Sequence, residues 1–447
     1  MAKILICGNA PLPTEKEAKK QYAAGLRTWH FIKPLLDAGH QVLLFALVMP
    51  DAYKDALVFK KPQTEVVSDQ LTIIRVDKGW TGFAQFLHKQ FRTFRPDCAL
   101  GINTYPSYRA TTLARHCPFW ADLNGWLMAE AQSQAGVIGS DVYLPHYAKI
   151  EQTIVRWADK FSAVSEFQKW ALIGELALAG RMNSKTDGYE FATSIPNANE
   201  TIELHQMDDR KLLRGKVAAE DDFIVFSAGG YNTWLDIDTL FTGLGKAMDK
   251  NPKIKFVSTG GKIPGLADSV FDRFIKMIDG SKHKDRFVML GWVPSENMPY
   301  YYREANVGIN CDRFNYETLT GARNRLNEMM IRGLPVVTTL GSEITHDIKS
   351  NDLGFTYDIG DSDGLADLLV SLVGRDLSEY TKRAADFAKQ YYSYKYTTRA
   401  VAEWVKNPKK APDFGYRVSL RGGKLASGLR YMREKGIRAS VRKIVKM

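Results

Sequence analysis

Two patterns of apolar residues alternate along the chain. Short, continuous apolar runs such as KILICG (3–8) and QVLLFALV (41–48) are separated by stretches whose apolar residues recur every three or four positions. The first pattern predicts strands buried on both faces, and the second predicts helices packed along one side. In the first half, strands are expected at 3–8, 41–48, 71–77, 97–103, 119–125 and 160–165. Helices are expected at 23–40, 82–94, 146–158 and 166–179. A polar, charged stretch over 201–221 interrupts the alternation. It then resumes with strands at 223–230, 255–261, 286–292, 305–311 and 335–339, and with helices at 236–249 and 268–278. From 376 to 406 the pattern is helical, broken at QYYSYKY, which predicts two helices set at an angle. Buried strands linked by helices indicate parallel sheets covered on both faces. At 447 residues the chain is too long for one core. The expected fold class is α/β, with two doubly wound Rossmann-like domains spanning 1–205 and 206–390. Ligands of such sheets bind outside the carboxyl ends of the strands, so the strand-to-helix loops are the places to look for chemistry.

Composition changes this picture little, and charge changes it at one end. Apolar residues make up 45% of the chain and charged residues 25%, ordinary for a globular protein. No stretch approaches the roughly 20 consecutive apolar residues of a spanning helix. The first residues, MAKILICGNAPLP, are too short an apolar run for a signal peptide and read as a first strand. Cys7, Cys98, Cys117 and Cys311 lack metal-ligand spacing, and reduced core thiols in a cytoplasmic protein account for them. The net charge of +11 is concentrated in residues 409–447, which hold 12 basic and two acidic residues. Leu425, Leu429, Met432, Ile437, Val441, Ile444 and Val445 recur there at helical spacing with Arg and Lys between them. This basic amphipathic pattern over 407–447 suits an anionic membrane surface. A solvated tail, or one packed on the body, is the alternative. Few aromatics interleave with the cations, which argues against nucleic acid.

The densest chemistry lies in YETLTGARNRLNEMMIRGLPVVTT, residues 316–339. A helix beginning near Ala322 would place Arg323 and Arg325 in its first turn, where cations oppose the helix dipole. A bound diphosphate would reverse that penalty, and the guanidinium fork suits it. Glu328, three residues after Arg325, could accept two ribose hydroxyls. The plainer alternative is an Arg325–Glu328 surface pair with Arg323 in solvent. In SAGGYNTWLDIDTL (227–240), Gly229 and Gly230 end a strand and would let backbone approach a ligand closely, with Trp234 nearby as a site residue or a core cap. Gly25 opens the first long helix. Asp122 and Asn124 follow a strand end, where an acceptor contact or an Asx turn would each explain them. No histidine has the spacing of a metal site, and Asp236 and Asp238 read as helix N-terminal charge.

With these residues in view, the chain resembles glycosyltransferases of the GT-B fold, in particular the large retaining group called family 4. NEMMIRGLPVVTT matches that group's helix-to-strand passage from Glu328 onward. Glu317-Thr318, then Arg323-Asn324-Arg325, then Glu328, is similar to a bacterial surface-polysaccharide subgroup, as is Trp234 followed by Asp236. The resemblance implies two Rossmann-like domains facing a central cleft, a crossover helix at 391–406 returning to the first domain, and a basic helical tail. It casts Glu328 as the ribose ligand and Arg323 and Arg325 as the cations that stabilise the leaving diphosphate. Thr320 and Gly321, Glu317, Gly229 and Gly230, Trp234 and Gly25 would complete the donor site, with Asp122 facing the acceptor or the transferred sugar. Thr320 stands where the family has a sugar-contacting Glu, and the family's Arg and Lys after the strand at 223–230 are missing. The implied partners are a nucleotide-sugar donor, a glycan or lipid-linked acceptor and the inner face of the cell membrane. No metal or other cofactor is expected. A nucleotide-sugar epimerase of the same fold, or a non-catalytic sugar-nucleotide or glycan-binding protein, fits the same residues.

Overall fold

The computed structural model describes residues 1–15, 17–18, 21–49, 52–53, 57–200, 208–262 and 268–416, together with 418, 432 and 433. The first domain is built on strands β1 (Lys3–Ala10), β2 (Gln41–Val48), β3 (Gln63–Val66), β4 (Leu71–Asp77), β5 (Cys98–Gly101), β6 (Phe119–Leu123), β7 (Lys160–Ala163) and β8 (Ala192–Ser194). They form one sheet in the order β3-β4-β2-β1-β5-β6-β7-β8. All neighbours are parallel except β3, a short polar edge strand that runs antiparallel to β4. Helices α1 (Ala23–Asp37), α2 (Phe83–Phe94), α3 (Thr104–Ala110), α4 (Leu127–Ile138), α5 (Leu144–Trp157) and α6 (Glu166–Leu178) cover it.

The second sheet is wholly parallel: β9 (Phe223–Ser227), β10 (Ile254–Thr259), β11 (Phe287–Gly291), β12 (Val307–Asn310), β13 (Val336–Thr339) and β14 (Gly354–Tyr357), ordered β11-β10-β9-β12-β13-β14. Its helices are α7 (Ile237–Lys250), α8 (Asp268–Asp279), α9 (Met298–Glu304), α10 (Tyr316–Thr320), α11 (Asn324–Ile331), α12 (Glu343–Ser350) and α13 (Ser362–Leu372). Each sheet has a core on both faces, which is why its central strands are continuous apolar runs. The order reverses between β1 and β5 in one sheet and between β9 and β12 in the other, and these switch points are where ligands of such sheets bind.

After α14 (Ser378–Tyr391) come α15 (Tyr394–Thr397) and α16 (Arg399–Trp404), and the chain returns to the first domain. The break in the helical pattern at 392–393 is where it crosses. There the Asn199 amide donates to the Tyr392 carbonyl at 3.1 Å, so the two passages between domains lie side by side. His30 stacks on Tyr394 at 4.8 Å between centroids and meets the Thr397 hydroxyl at 2.6 Å. Val401 and Val405 join the first domain's core.

The expectation of a tail beginning at 407 is corrected by the next ten residues. The Ala411 amide donates to Asp159 at 2.8 Å, and Lys410 reaches the carbonyls of Ala114 and Cys117. Arg181 and Asp413 form a fully buried bidentate pair, both bonds 2.8 Å long. These residues finish the first domain's base. The predicted amphipathic helix falls almost wholly outside the described residues. Among the described residues no helix is long and apolar enough to cross a membrane, and all four cysteines are free and buried.

The Arg181–Asp413 pair yields a test. Asp413→Ala strands a guanidinium in the core and should cost about 3–5 kcal/mol, read as a lower urea midpoint with little change in slope.

Candidate functional site

The second domain's switch point brings together the loop after β9, the loop after β12 and the segment from α10 into α11. A single helix from Ala322 was expected, but α10 ends at Thr320 and α11 begins at Asn324, with Gly321, Ala322 and Arg323 as a bend between them. The bend has an electrostatic cause. Arg323 Nε donates to Asp312 at 2.6 Å, and its two terminal nitrogens donate to Glu317 at 3.0 and 2.9 Å. All three side chains are buried. Burial works against the charge of Arg323, but the two carboxylates outweigh it and hold the group more firmly protonated. Gly321 packs under this network, where a Cβ would overlap Glu317 and crowd Arg323.

This corrects two expectations together. Arg323 is no diphosphate cation, because two carboxylates already neutralise it. Glu317 is no donor ligand, because both its oxygens hold Arg323. Thr320 is also committed: its hydroxyl donates to the Tyr316 carbonyl at 2.7 Å, and its own carbonyl accepts from Ser165 of the first domain at 2.5 Å. Trp234 lies under the Arg323 guanidinium, 5.4 Å from it.

Arg325, two residues on, has a different environment. Its one side-chain hydrogen bond among the described residues runs to the Gly230 carbonyl at 3.0 Å, and no carboxylate pairs with it. Burial depresses its pKa; Asp312 opposes that shift and Arg323 adds to it. An anion arriving here would meet a cation short of negative partners. Gly229 has φ +91°, and Gly260 packs on its backbone so closely that a Cβ on Gly260 would overlap the Gly229 carbonyl. Both glycines keep side chains away from the floor on which Arg325 rests. Glu328, on the same side of α11, is 32% exposed and lies 4.0 Å from Arg332. Burial raises its pKa, while Arg332 and the Tyr302 hydroxyl pull it back down. Arg325 and Glu328 do not pair with each other, so the surface-pair alternative is not what forms. Among the described residues no cluster of three His, Cys, Asp or Glu could hold a metal ion.

On the first domain Asp122 requires the same kind of correction as Arg323. It is fully buried, receives two bonds from Arg27 at 2.7 and 3.0 Å, and accepts from Ser162 at 2.6 Å. It fastens α1 to the sheet and has no oxygen facing a substrate. Arg27 also donates to Pro196 and Asn197 where the chain leaves the domain. Gly25 is a packing glycine, since a Cβ there would overlap the Pro11 carbonyl oxygen. Asn124 donates to Asn103 at 2.9 Å.

The residue that sequence reasoning missed is Glu130, in the first turn of α4. That helix was not predicted, because LMAEAQSQAGVI has too few large apolar residues to show a period. It nevertheless forms the first domain's side of the cleft. Ser133 meets Thr233 at 2.9 Å and accepts from Arg313 at 3.3 Å. Trp126 meets Tyr316 ring to ring at 6.5 Å. Beneath α4, Glu175 accepts from the Trp126 indole at 2.7 Å and Glu151 from the Met128 amide at 3.1 Å. The second oxygen of each carboxyl is buried without a partner. Burial raises both groups, and the charge of Glu175 raises Glu151 further.

Residues 222–375 match the family model described as glycosyl transferases group 1. No curated protein matches the chain at a significant level. Among solved structures, sucrose-phosphate synthase from Thermosynechococcus elongatus is 14% identical, with 91% of this chain and 98% of that one covered at a TM-score of 0.66. HepE from Anabaena in complex with UDP-glucose is 15% identical, covering 91% and 100%, also at 0.66. The trehalose-6-phosphate synthase OtsA is 12% identical, covering 92% and 100%, again at 0.66. The architecture is GT-B, and the second domain carries the pattern of the group 1 glycosyl transferases.

The two arginines should separate in a stability measurement. Arg323→Ala leaves Asp312 and Glu317 buried without a cation and should cost about 3–5 kcal/mol in urea melts. Arg325→Ala breaks no ion pair, only the hydrogen bond to Gly230, and should cost less, about 1–2 kcal/mol. The Glu151–Glu175 pair gives a pH signature. Raised carboxyl pKa values mean the folded state holds protons more tightly. The pair's contribution is therefore complete below the ordinary value of 4.5 and is lost as pH climbs through the raised values. Glu151→Gln should flatten that decline in melts taken across pH.

Proposed function

We propose that the chain transfers a glycosyl group, with retention, from a nucleoside-diphosphate sugar to a hydroxyl of a cell-surface glycan or its lipid-linked precursor. The observation that carries the reading is Arg325, a largely enclosed guanidinium without a carboxylate, held beside the glycine turn at the end of β9. The diphosphate would lie there, against Arg325 and the backbone at the start of α11, with the ribose at Glu328. When the bond between the anomeric carbon and the phosphate oxygen breaks, negative charge grows on the diphosphate. Arg325 meets it with positive charge in a site that excludes much of the water. The acceptor oxygen bonds to the anomeric carbon on the face the nucleotide leaves, and its proton passes to the departing phosphate oxygen. No protein nucleophile and no metal enters this reading. HepE, similar in fold, is described with UDP-glucose, which makes UDP sugars the first donors to try.

The enzyme would work in the cytoplasm at the inner membrane face, with the basic residues beyond 416 drawn to anionic lipid. Since residues 407–416 belong to the first domain, the informative truncation removes only residues after Val418.

Three outcomes are expected. With membrane extract as acceptor, Arg325→Ala should lower kcat/KM by about 10²–10³, as loss of a charge-stabilising donor does. Glu328→Ala should raise the donor KM about tenfold, and wild-type rates in both variants would remove the assignment. Truncation after Val418 should weaken sedimentation with phosphatidylserine liposomes and not with neutral ones. Turnover of a nucleotide sugar without acceptor, giving an isomerised sugar, would favour the epimerase reading.

A further inference from the structure

We infer that Glu130 contacts a hydroxyl of the transferred sugar from the first-domain wall of the cleft. The inference rests on the donor site proposed above and names the sugar-reading group that this site lacks. On the second domain the side chains nearest the bend are spent. Thr320 donates to Tyr316, Glu317 is held by Arg323, and Glu328 is a turn and a half further along α11.

The opposite wall is α4, which packs against α10. Two contacts pin α4 there: Trp126 against Tyr316 at one end, and Ser133 against Thr233 about two turns on. Glu130 lies between these two contacts on the same helix. Its carboxyl folds over the bare face of Gly125, which has φ +107° and where a Cβ would overlap the Glu130 oxygen. A side chain at Gly125 would push the carboxyl away, so the glycine and the acid act as a unit. Glu130 is half-buried and its side chain makes no hydrogen bond to the described residues.

Charge decides what this carboxyl can do. Across the cleft stands Glu317, whose negative charge acts on Glu130 and is partly offset there by Arg323. The titratable and charged groups around Glu130 are Glu317 and Arg323 across the cleft, and Tyr147 and Glu151 on α5. Burial chiefly, then Glu317, pushes the group up to about 8 against the pull of Arg323. At neutral pH it is mostly the acid, with an O–H to donate and a carbonyl oxygen to accept, which matches a sugar hydroxyl on both counts.

The test compares nucleotides with their sugar conjugates. UDP, GDP, dTDP and ADP, and then UDP-glucose, GDP-mannose, dTDP-glucose and ADP-glucose, are titrated into wild type, Glu130→Ala and Glu130→Gln by calorimetry. Unliganded melting temperatures serve as a folding control. The matching nucleoside diphosphate should bind all three proteins alike. The sugar conjugate should lose about tenfold in affinity in Glu130→Ala and keep it in Glu130→Gln, which retains a neutral donor. In turnover assays the wild-type rate should fall above pH 8 as the acid ionises, and Glu130→Gln should abolish that limb. Wild-type affinity of Glu130→Ala for the conjugate overturns the inference and leaves the donor site standing. Failure of every nucleoside diphosphate to bind wild type removes the donor site, and the inference with it.

Discussion

One guanidinium organises the second half of this cleft. Arg323 joins Asp312, at the end of β12, to Glu317 on α10, and thereby fixes the bend between α10 and α11. The geometry that results sets the direction of α11 and hence the positions of Arg325 and Glu328. It also sorts the charges. The arginine with two carboxylates is part of the framework, and the arginine with none is left to meet a ligand. A buried ion network of this kind adds little to stability compared with an apolar core. Its value lies in specificity, because removing any member leaves the others unmatched.

The same division between framework and cleft runs through the first domain. Arg27 and Asp122 lie where a catalytic acid was expected, yet they are consumed in tying α1 to β6 and to the chain's exit at Pro196. The groups that reach the cleft come instead from α4, a helix of small residues with a polar face. Small residues allow close approach to the second domain's loops, and the Ser133, Thr233 and Arg313 contacts follow from that closeness.

Much of the fold was legible in the sequence because buried parallel strands announce themselves. The strands at 41–48 and 71–77 coincide with β2 and β4 residue for residue. Where periodicity was weak, the reading failed, as with α4 and the edge strand β3. In the site, residue types were legible and their partners were not. Arg323 and Arg325 look equivalent two positions apart, and only the bonds that Arg323 makes to Glu317 and to Asp312, brought in by another strand, tell them apart. Asp122 looked free because its partner, Arg27, stands 95 residues earlier. Glu130 gave no signal, since a single acid in a helix of small residues is commonplace. What distinguishes it is the bare backbone of Gly125 and the Glu317 carboxylate across the cleft.

The side-by-side chain crossings at Asn199 and Tyr392 have a mechanical consequence. Two adjacent connections define a line, and rigid bodies joined along a line have one easy motion, rotation about it. Points near the axis barely move in such a rotation, and Asn327, which donates to the Asn197 carbonyl, is such a point. Points away from the axis travel further, and the Ser133–Thr233 contact joins α4 to the loop after β9. A turn about that line would part α4 from the second domain, breaking the Ser133–Thr233 and Trp126–Tyr316 contacts and lifting Val137 off the second domain's core.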